Sequence, residues 1–150
     1  MNYELRKAKR TDLEKLLLIQ KEIIIKSTHY DSSIKKNTTF VDIKKLILSK
    51  QTNFLVIELN KEIICCGYAE IRKSPNYMKP KNYGYIGMIF VSEKHRKKGL
   101  ATNIINNLVK WLETNKIKEI RLEAYTKNED AIKLFRKTGF EELFVTMKKV

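Results

Sequence analysis

The chain has 150 residues, of which 43% are hydrophobic and 32% are charged, and its formal net charge at neutral pH is +14. This length suits a single domain over residues 1–150 with a buried core. No apolar run approaches the roughly 20 residues that a membrane-spanning helix needs, and the first residues lack an apolar signal core. These totals exclude a membrane-spanning protein and predict a cytoplasmic one.

Charge and cysteine content limit the ligands that the chain is expected to bind. The positive charge predicts an anionic partner, but the lysines are spread through every segment and no basic cluster is interleaved with aromatic residues. A nucleic acid is therefore disfavoured without being excluded. Cys65 and Cys66 are adjacent in a strand-like run, where they point to opposite faces and do not bridge each other. No residue spacing is typical of a metal site, and no metal is expected.

In the first half of the chain, alternating apolar residues predict strands and helical periodicity predicts helices. A polar stretch, Ser27–Asn37, separates the two helices. The predicted elements are, in order, a strand at Tyr3–Arg6, a helix from Thr11, a helix from Thr39, and strands at Phe54–Leu59 and Ile63–Ile71.

The second half begins with a loop that contains two prolines, and a long helix then lies between two strands. A strand, a helix and a strand in succession form a right-handed crossover, which places the two strands side by side and parallel. The predicted elements are, in order, a strand at Tyr83–Val91, a helix from Gly99 to near Asn115, a strand at Glu119–Tyr125, a helix capped by Asn128, and a last strand at Phe140–Lys148.

The stretch Ile86–Thr102 is the most informative part of the sequence. An apolar run ends at Val91, a basic turn follows, and Gly99 opens an amphipathic helix. A helix N-terminus has unpaired N–H groups and about half a positive charge, so it attracts anions. The basic side chains of Arg96–Lys98 add to this charge, and Gly99 has no Cβ to hold a ligand away from the backbone. The turn therefore predicts a site for a phosphate or pyrophosphate.

The segment Arg96–Ala101 resembles the Arg/Gln-x-x-Gly-x-Gly/Ala turn of the GNAT superfamily, the Gcn5-related N-acetyltransferases. In that family the turn binds the pyrophosphate of acetyl-coenzyme A. Residues 122–140 resemble the other GNAT signature, a strand that ends in Leu-Glu-Val, then Asn, then Ala-x-x-Leu-Tyr-x-x-x-Gly-Phe. In motif, the chain is most similar to the bacterial members that acetylate the N-terminal alanine of ribosomal proteins. The matching residues of the second signature are Leu122, Glu123, Asn128, Ala131, Leu134, Gly139 and Phe140.

The resemblance implies a GNAT fold of the α/β (α+β) class. Such a fold has a mixed, mostly antiparallel sheet of about six to seven strands with about four flanking helices. A parallel, splayed strand pair at the cofactor site admits pantetheine. The resemblance also implies acetyl-coenzyme A as cosubstrate. The residues expected to bind it are Ile89, Phe90, Val91, Arg96, Lys97, Lys98, Gly99, Leu100, Ala101, Thr102, Asn128 and Phe135.

Acetyl transfer to an amine needs a neutral amine, stabilisation of the carbonyl oxygen and, at best, a proton for the leaving thiolate. In the relatives that acetylate ribosomal-protein N-termini, a strand glutamate is the base and a helix tyrosine twelve residues later is the acid. Glu123 matches the glutamate, whereas the acid position is Phe135 (135 − 123 = 12), which has no proton to give. The thiolate then leaves unassisted, another hydroxyl replaces the acid, or the chain binds acyl-coenzyme A without turnover. Glu70 is a weaker candidate for the base.

Two tyrosines are candidates for the missing acid. Regular alternation places Tyr85 on the same strand face as Gly87 and Ile89, where some relatives have their carboxylate base. Tyr125 ends the strand that carries Glu123. A strand tyrosine is also a common packing group, so both assignments stay hypotheses.

The sequence predicts an N-acetyltransferase that moves acetyl from acetyl-coenzyme A directly to a primary amine of a small molecule, protein or peptide, without a covalent enzyme intermediate. One alternative is a toxin-like member that acts on aminoacyl-tRNA, motivated by the charge of +14. The other is a non-catalytic acyl-coenzyme A-binding module, motivated by Phe135. The acceptor stays open, because Ser27–Asn37 and Arg72–Asn82, the segments expected to select it, carry no readable pattern. A monomer or a homodimer is expected.

Overall fold

The computed structural model describes residues 2–150, which form one mixed sheet with helices on both faces. The strands are β1 (Glu4–Lys7), β2 (Thr52–Leu59), β3 (Glu62–Lys73), β4 (Asn82–Val91) and β5 (Ile120–Arg121). The helices are α1 (Leu13–Ser27), α2 (Ile43–Leu48), α3 (Leu100–Thr114) and α4 (Glu129–Lys137). The five strands lie in sequence order, and all neighbours are antiparallel except β4 and β5, which are parallel.

The sheet separates two apolar layers. On one face, α3 buries a stripe of residues that recur at helical spacing, and on the other face α1 and α2 pack together on the strands. Cys65 belongs to the first layer and Cys66 to the second, so the two free thiols point to opposite faces as predicted. The stripe of α3 consists of Leu100, Ile104, Leu108 and Leu112.

One buried amide fixes the path of the chain between α1 and α2. Gln20 is only 1% exposed, and its Oε1 accepts hydrogen bonds from the backbone N–H groups of Phe40 and Val41, both at 3.0 Å. Asp42 then caps α2, because its side chain accepts a hydrogen bond from the N–H of Lys45. The polar stretch after α1 is thereby anchored at its far end.

A second polar cluster joins the first strand to the sheet and to α1. Arg6 donates to both carboxylate oxygens of Asp12, at 2.8 and 3.0 Å, and to Glu58 at 2.9 Å. Asp12 is 5% exposed and also accepts from the backbone N–H of Lys9. The guanidinium therefore lowers the pKa of Asp12 below its usual value.

The α/β class and the parallel strand pair are confirmed, but the sheet formed by residues 2–150 has five strands and not six to seven. The predicted strand at Glu119–Tyr125 shortens to β5, and the predicted last strand at Phe140–Lys148 does not form. Alternation makes a segment compatible with a strand, but a strand also needs a neighbouring backbone to pair with. No helix within residues 2–150 is both long enough and apolar enough to cross a membrane.

Candidate functional site

The parallel strands β4 and β5 separate soon after they meet. Their register contains only the pairs Gly84↔Ile120 and Tyr85↔Arg121, whereas β4 continues as far as Val91. Beyond Tyr85, the β5 side of β4 therefore has no strand partner within the described residues. This opening is the splay that the sequence predicts, and it leads along β4 toward the basic turn.

A β-bulge lies in β4 along this opening. Cys66 pairs with Phe90 and Tyr68 with Gly87, so the β4 side of the ladder contains one residue more than the β3 side. Met88 has φ of +54°, and it packs on the α1 face, whereas Ile89 packs on the α3 face. The predicted common face of Tyr85 and Ile89 is therefore wrong, because the bulge reverses the alternation between them.

The turn between β4 and α3 contains two residues with positive φ and leads into a helix that no side chain of the described residues caps. Lys97 has φ of +61° and Gly99, the N-cap residue, has φ of +77°. No side chain caps α3, and its backbone ladder begins with the N–H of Asn103, which donates to the carbonyl of Gly99 at 3.0 Å. The preceding N–H groups are left for an anion by helix geometry.

Three cationic residues directly precede this helix start in the chain. Arg96, Lys97 and Lys98 are all exposed, and Arg96 Nε lies 3.4 Å from the carbonyl oxygen of Val91. A Cβ added to Gly99 would meet nothing within 4 Å, so the structure requires glycine there for its positive φ and not for close packing. Leu100 and Ala101 are buried behind the turn and Thr102 is half-buried.

The second signature begins directly after β5 and continues through α4, whose N-cap residue is Asn128. The side-chain oxygen of Asn128 caps this helix by accepting from the N–H of Ala131 at 3.3 Å. Phe135 is half-buried and packs edge to face on Phe140, with 6.5 Å between the ring centroids. The position of the family's acid is thus an aromatic packing contact.

The catalytic candidates Tyr85 and Glu123 meet where β4 and β5 part. The Tyr85 hydroxyl donates to Glu123 Oε1 at 2.9 Å, although the two residues are far apart in sequence. Burial of the phenol and the adjacent carboxylate raise the pKa of Tyr85 well above its usual value. Tyr85 therefore stays protonated at neutral pH and is a proton donor, whereas Glu123 is an exposed acceptor.

Arg72 packs on the ring of Tyr85, a contact that the sequence does not indicate. The guanidinium of Arg72 lies 3.9 Å from the Tyr85 ring centroid, and Arg72 Nε donates to Glu70 at 2.7 Å. The buried ring of Tyr68 lies 6.3 Å from that of Tyr85, and its burial raises the pKa of Tyr68 to about 12. Glu70, the weaker base candidate, is thus engaged with Arg72.

Tyr125, the third catalytic candidate, forms a stacked pair with Tyr30. The ring centroids are 5.5 Å apart and the ring planes differ by 16°. Partial burial raises the pKa of Tyr125, and the nearby carboxylates of Asp31 and Glu123 raise it further. Sequence reasoning missed Tyr30; the only signal was that it lies in the polar stretch after α1.

The comparisons with known proteins agree with this geometry. A family model described as the acetyltransferase (GNAT) family matches residues 17–140. An N-alpha-acetyltransferase from Sulfurisphaera tokodaii is 23% identical over 151 aligned positions, which cover 95% of this chain and 83% of that protein.

Two crystal structures show the same fold. A mutant protein from Bacillus halodurans superposes with a TM-score of 0.87 at 16% identity, over 98% of each chain. A protein from Clostridium acetobutylicum, described as a predicted acetyltransferase with acetyl-CoA, gives a TM-score of 0.73 at 21% identity, over 99% of this chain and 96% of that one. At these identities the likeness concerns the fold.

Proposed function

This chain belongs to the acetyltransferase (GNAT) family, and from that premise we propose that it transfers acetyl from acetyl-coenzyme A to a primary amine of a small molecule, protein or peptide. The observation that carries the proposal is the opening between β4 and β5, which ends at the uncapped start of α3. We propose that the opening binds the extended thioester arm and that the turn binds the pyrophosphate.

The cosubstrate is proposed to lie along β4 from the bulge to the turn. The pantetheine arm is proposed to contact the backbone of Ile89, Phe90 and Val91. The phosphates are proposed to interact with the positive charges of Arg96–Lys98. A helix start and three exposed cations adjacent to it in the chain would attract the same anion, which supports the proposal of a pyrophosphate site here. Asn128 and Phe135 are proposed to border the thioester end from α4.

Glu123 is proposed to accept the proton that the attacking amine loses. Its carboxylate is exposed to solvent yet oriented by the hydroxyl of Tyr85 at 2.9 Å. A lysine-type amine with pKa near 10.4 is neutral about once in 2,500 molecules at pH 7, so a positioned base has a large effect. Tyr85 keeps its proton at this pH and can give it to the departing thiolate.

Direct attack in a ternary complex is supported by the position of the cysteines. Cys65 and Cys66 are fully buried in the two apolar layers, and burial raises the pKa of Cys65 to about 12. A buried thiol with a raised pKa is a poor nucleophile. The acetyl group therefore passes straight from sulfur to nitrogen.

The test is release of free coenzyme A from acetyl-coenzyme A with a panel of amines. The panel contains peptides with free N-termini, peptides with a single lysine, and polyamines. Peptide N-termini come first because the relative from Sulfurisphaera tokodaii is named an N-alpha-acetyltransferase. We expect release that depends on one amine class and an acetylated product of matching mass. Binding of acetyl-coenzyme A without release for any amine would contradict the proposal and favour a binding module.

A further inference from the structure

The C-terminal segment, residues 140–150, runs across the molecule without joining the sheet. Within the described chain, residues 141–150 belong to no helix or strand and are all exposed. Phe144 is 76% exposed and Met147 is 89% exposed, although both are large apolar residues. Phe140 packs on Phe135 and Glu142 pairs with Arg136, so the beginning of the segment is fixed. The residues after Glu142 are free to change their path, since few contacts would be lost.

One polar contact brings the end of this segment to the catalytic side. Lys148 Nζ lies 3.1 Å from Asp31 Oδ1, and the two side chains are 66% and 32% exposed. Asp31 follows Tyr30, whose ring stacks on Tyr125. The amine of Lys148 is thus held at the tyrosine pair that borders Glu123.

Tyr125 links the lysine contact to the proposed base. Both carboxylates, that of Asp31 and that of Glu123, lie close enough to Tyr125 to raise its pKa. Glu123 in turn accepts the hydrogen bond from Tyr85. These contacts link one of the chain's own primary amines, through Asp31 and the stacked tyrosine pair, to the segment that carries Glu123.

We propose that Lys148 is a self-acetylation site, and that this tail lysine is an internal acceptor for the acetyltransferase. The inference rests on the proposed function. Lys148 leaves the ion pair as the ammonium and first gives one proton to Glu123. The lone pair of Nζ then forms a bond with the thioester carbonyl carbon as the C–S bond breaks, and the second proton that nitrogen loses passes to the coenzyme A thiolate. The products are Nε-acetyl-lysine and coenzyme A.

The ion pair with Asp31 positions Lys148 in preference to other lysines but is weak enough to break. An exposed pair contributes little to stability, so Nζ can leave Asp31 and move toward the thioester. A flexible tether holds the amine at an effective concentration on the order of millimolar. Acetylation removes the charge of Lys148, so the product no longer pairs with Asp31 and the segment after Glu142 loses this contact.

The experiment is a time course of the full chain with acetyl-coenzyme A, followed by peptide mass spectrometry. Lys149 is the matched internal control, because it is adjacent and exposed but has no described contact with Asp31. We expect an initial rate at Lys148 about tenfold above that at Lys149, independent of protein concentration as for a tethered reaction. Asp31→Asn should lower this preference, and Lys148→Arg should abolish the modification.

The outcomes separate this inference from the proposed function. Equal and slow acetylation of Lys148 and Lys149, unchanged in Glu123→Gln, would indicate chemical acetylation and overturn the inference. Transfer to an external amine with Lys148 unmodified would also overturn it while leaving the proposed function intact. Absence of acetyl-coenzyme A binding would overturn both. A rate at Lys148 that rises with protein concentration would contradict transfer within one molecule.

Discussion

The proposed cofactor half and the proposed acceptor half of the site are built in different ways. Most of the cofactor half is one continuous segment, residues 86–102, in which backbone geometry provides one side of the opening, the bulge and the helix start. Asn128 and Phe135 are proposed to complete it. The acceptor half consists of side chains from separate segments, namely Tyr30 and Asp31, Glu70 and Arg72, Tyr85, Glu123 and Tyr125. A continuous segment leaves a pattern in the sequence, whereas an assembled set of side chains does not.

This contrast also predicts separable effects. Changes in the acceptor half should alter turnover or the acceptor KM and leave coenzyme A binding in place. Changes in the cofactor half should weaken binding first. A variant that changes both coenzyme A binding and turnover to the same degree would contradict this separation.

The largest expected effect is that of Glu123→Gln. Loss of a general base lowers turnover by about 100-fold or more, while the Kd for acetyl-coenzyme A stays unchanged. Steady-state rates of coenzyme A release and a calorimetric Kd measure the two quantities. Glu62→Gln, at an exposed position on β3, is the matched control. Equal turnover in Glu123→Gln and the control would remove Glu123 from the mechanism.

The Arg6–Asp12 pair stabilises the fold at the edge of the sheet opposite β5, away from both halves. Asp12→Asn should lower the free energy of unfolding by about 2 kcal/mol, a factor of about 30 in the folding equilibrium. Because the pKa of Asp12 is lowered in the folded protein, its stabilisation is complete above about pH 4 and is lost as pH falls further. Urea unfolding at pH 7 and pH 3 checks both statements. The exposed Asp130→Asn is the control, and a variant as acid-sensitive as the wild type would contradict the assignment.

Gly99→Val tests the cofactor half. A β-branched residue is strained at φ of +77°, so we expect the turn to change its path and the Kd for coenzyme A to rise about tenfold. Gly99→Asn should retain more affinity, because asparagine tolerates positive φ. Gly139→Val, at φ of +101° after α4, provides a similar strain away from the turn. Wild-type affinity in Gly99→Val would refute the placement of the pyrophosphate.

The smallest expected effect concerns the tyrosine pair. Tyr125→Ala removes a stacked contact of about 0.5–1.5 kcal/mol that orders Tyr30 beside the segment of Glu123. Because the mutant must order this segment when the acceptor binds, we expect the acceptor KM to rise by at most about tenfold. The Kd for coenzyme A should not change. Tyr77→Ala is the control, because Tyr77 is 88% exposed. A change in coenzyme A affinity alone would place Tyr125 in the cofactor half.

The sequence was sufficient for the order of elements as far as α4, the parallel pair and the turn at Gly99, because each follows from local periodicity, a local motif or the handedness of a crossover. It was insufficient for Ile89, since a single extra residue at the bulge reverses the face of every following side chain. The alternation at Phe140–Lys148 was real, but a pattern cannot reveal that no neighbouring strand is present to pair with it. Nothing in the local sequence predicts the contact between Tyr30 and Tyr125.

Even less of the acceptor half than of the fold could be predicted from the sequence. Glu123 and Tyr85 were each identified by position along the chain, yet their hydrogen bond depends on how β4 and β5 part. The contact of Arg72 with Tyr85 joins the neighbouring strands β3 and β4 and has no sequence signal. Such contacts depend on register and on rotamers, which a single sequence does not determine.

Thermal unfolding with and without ligand tests the central claim that the opening in the sheet binds coenzyme A. A ligand at about 100 times its Kd adds about 2.7 kcal/mol, which raises the Tm of a chain of this size by a few degrees. We predict stabilisation by coenzyme A and by acetyl-coenzyme A, and a smaller effect of ATP, which lacks the pantetheine arm. The absence of a shift with either form of coenzyme A, or an equal shift with ATP, would contradict the claim.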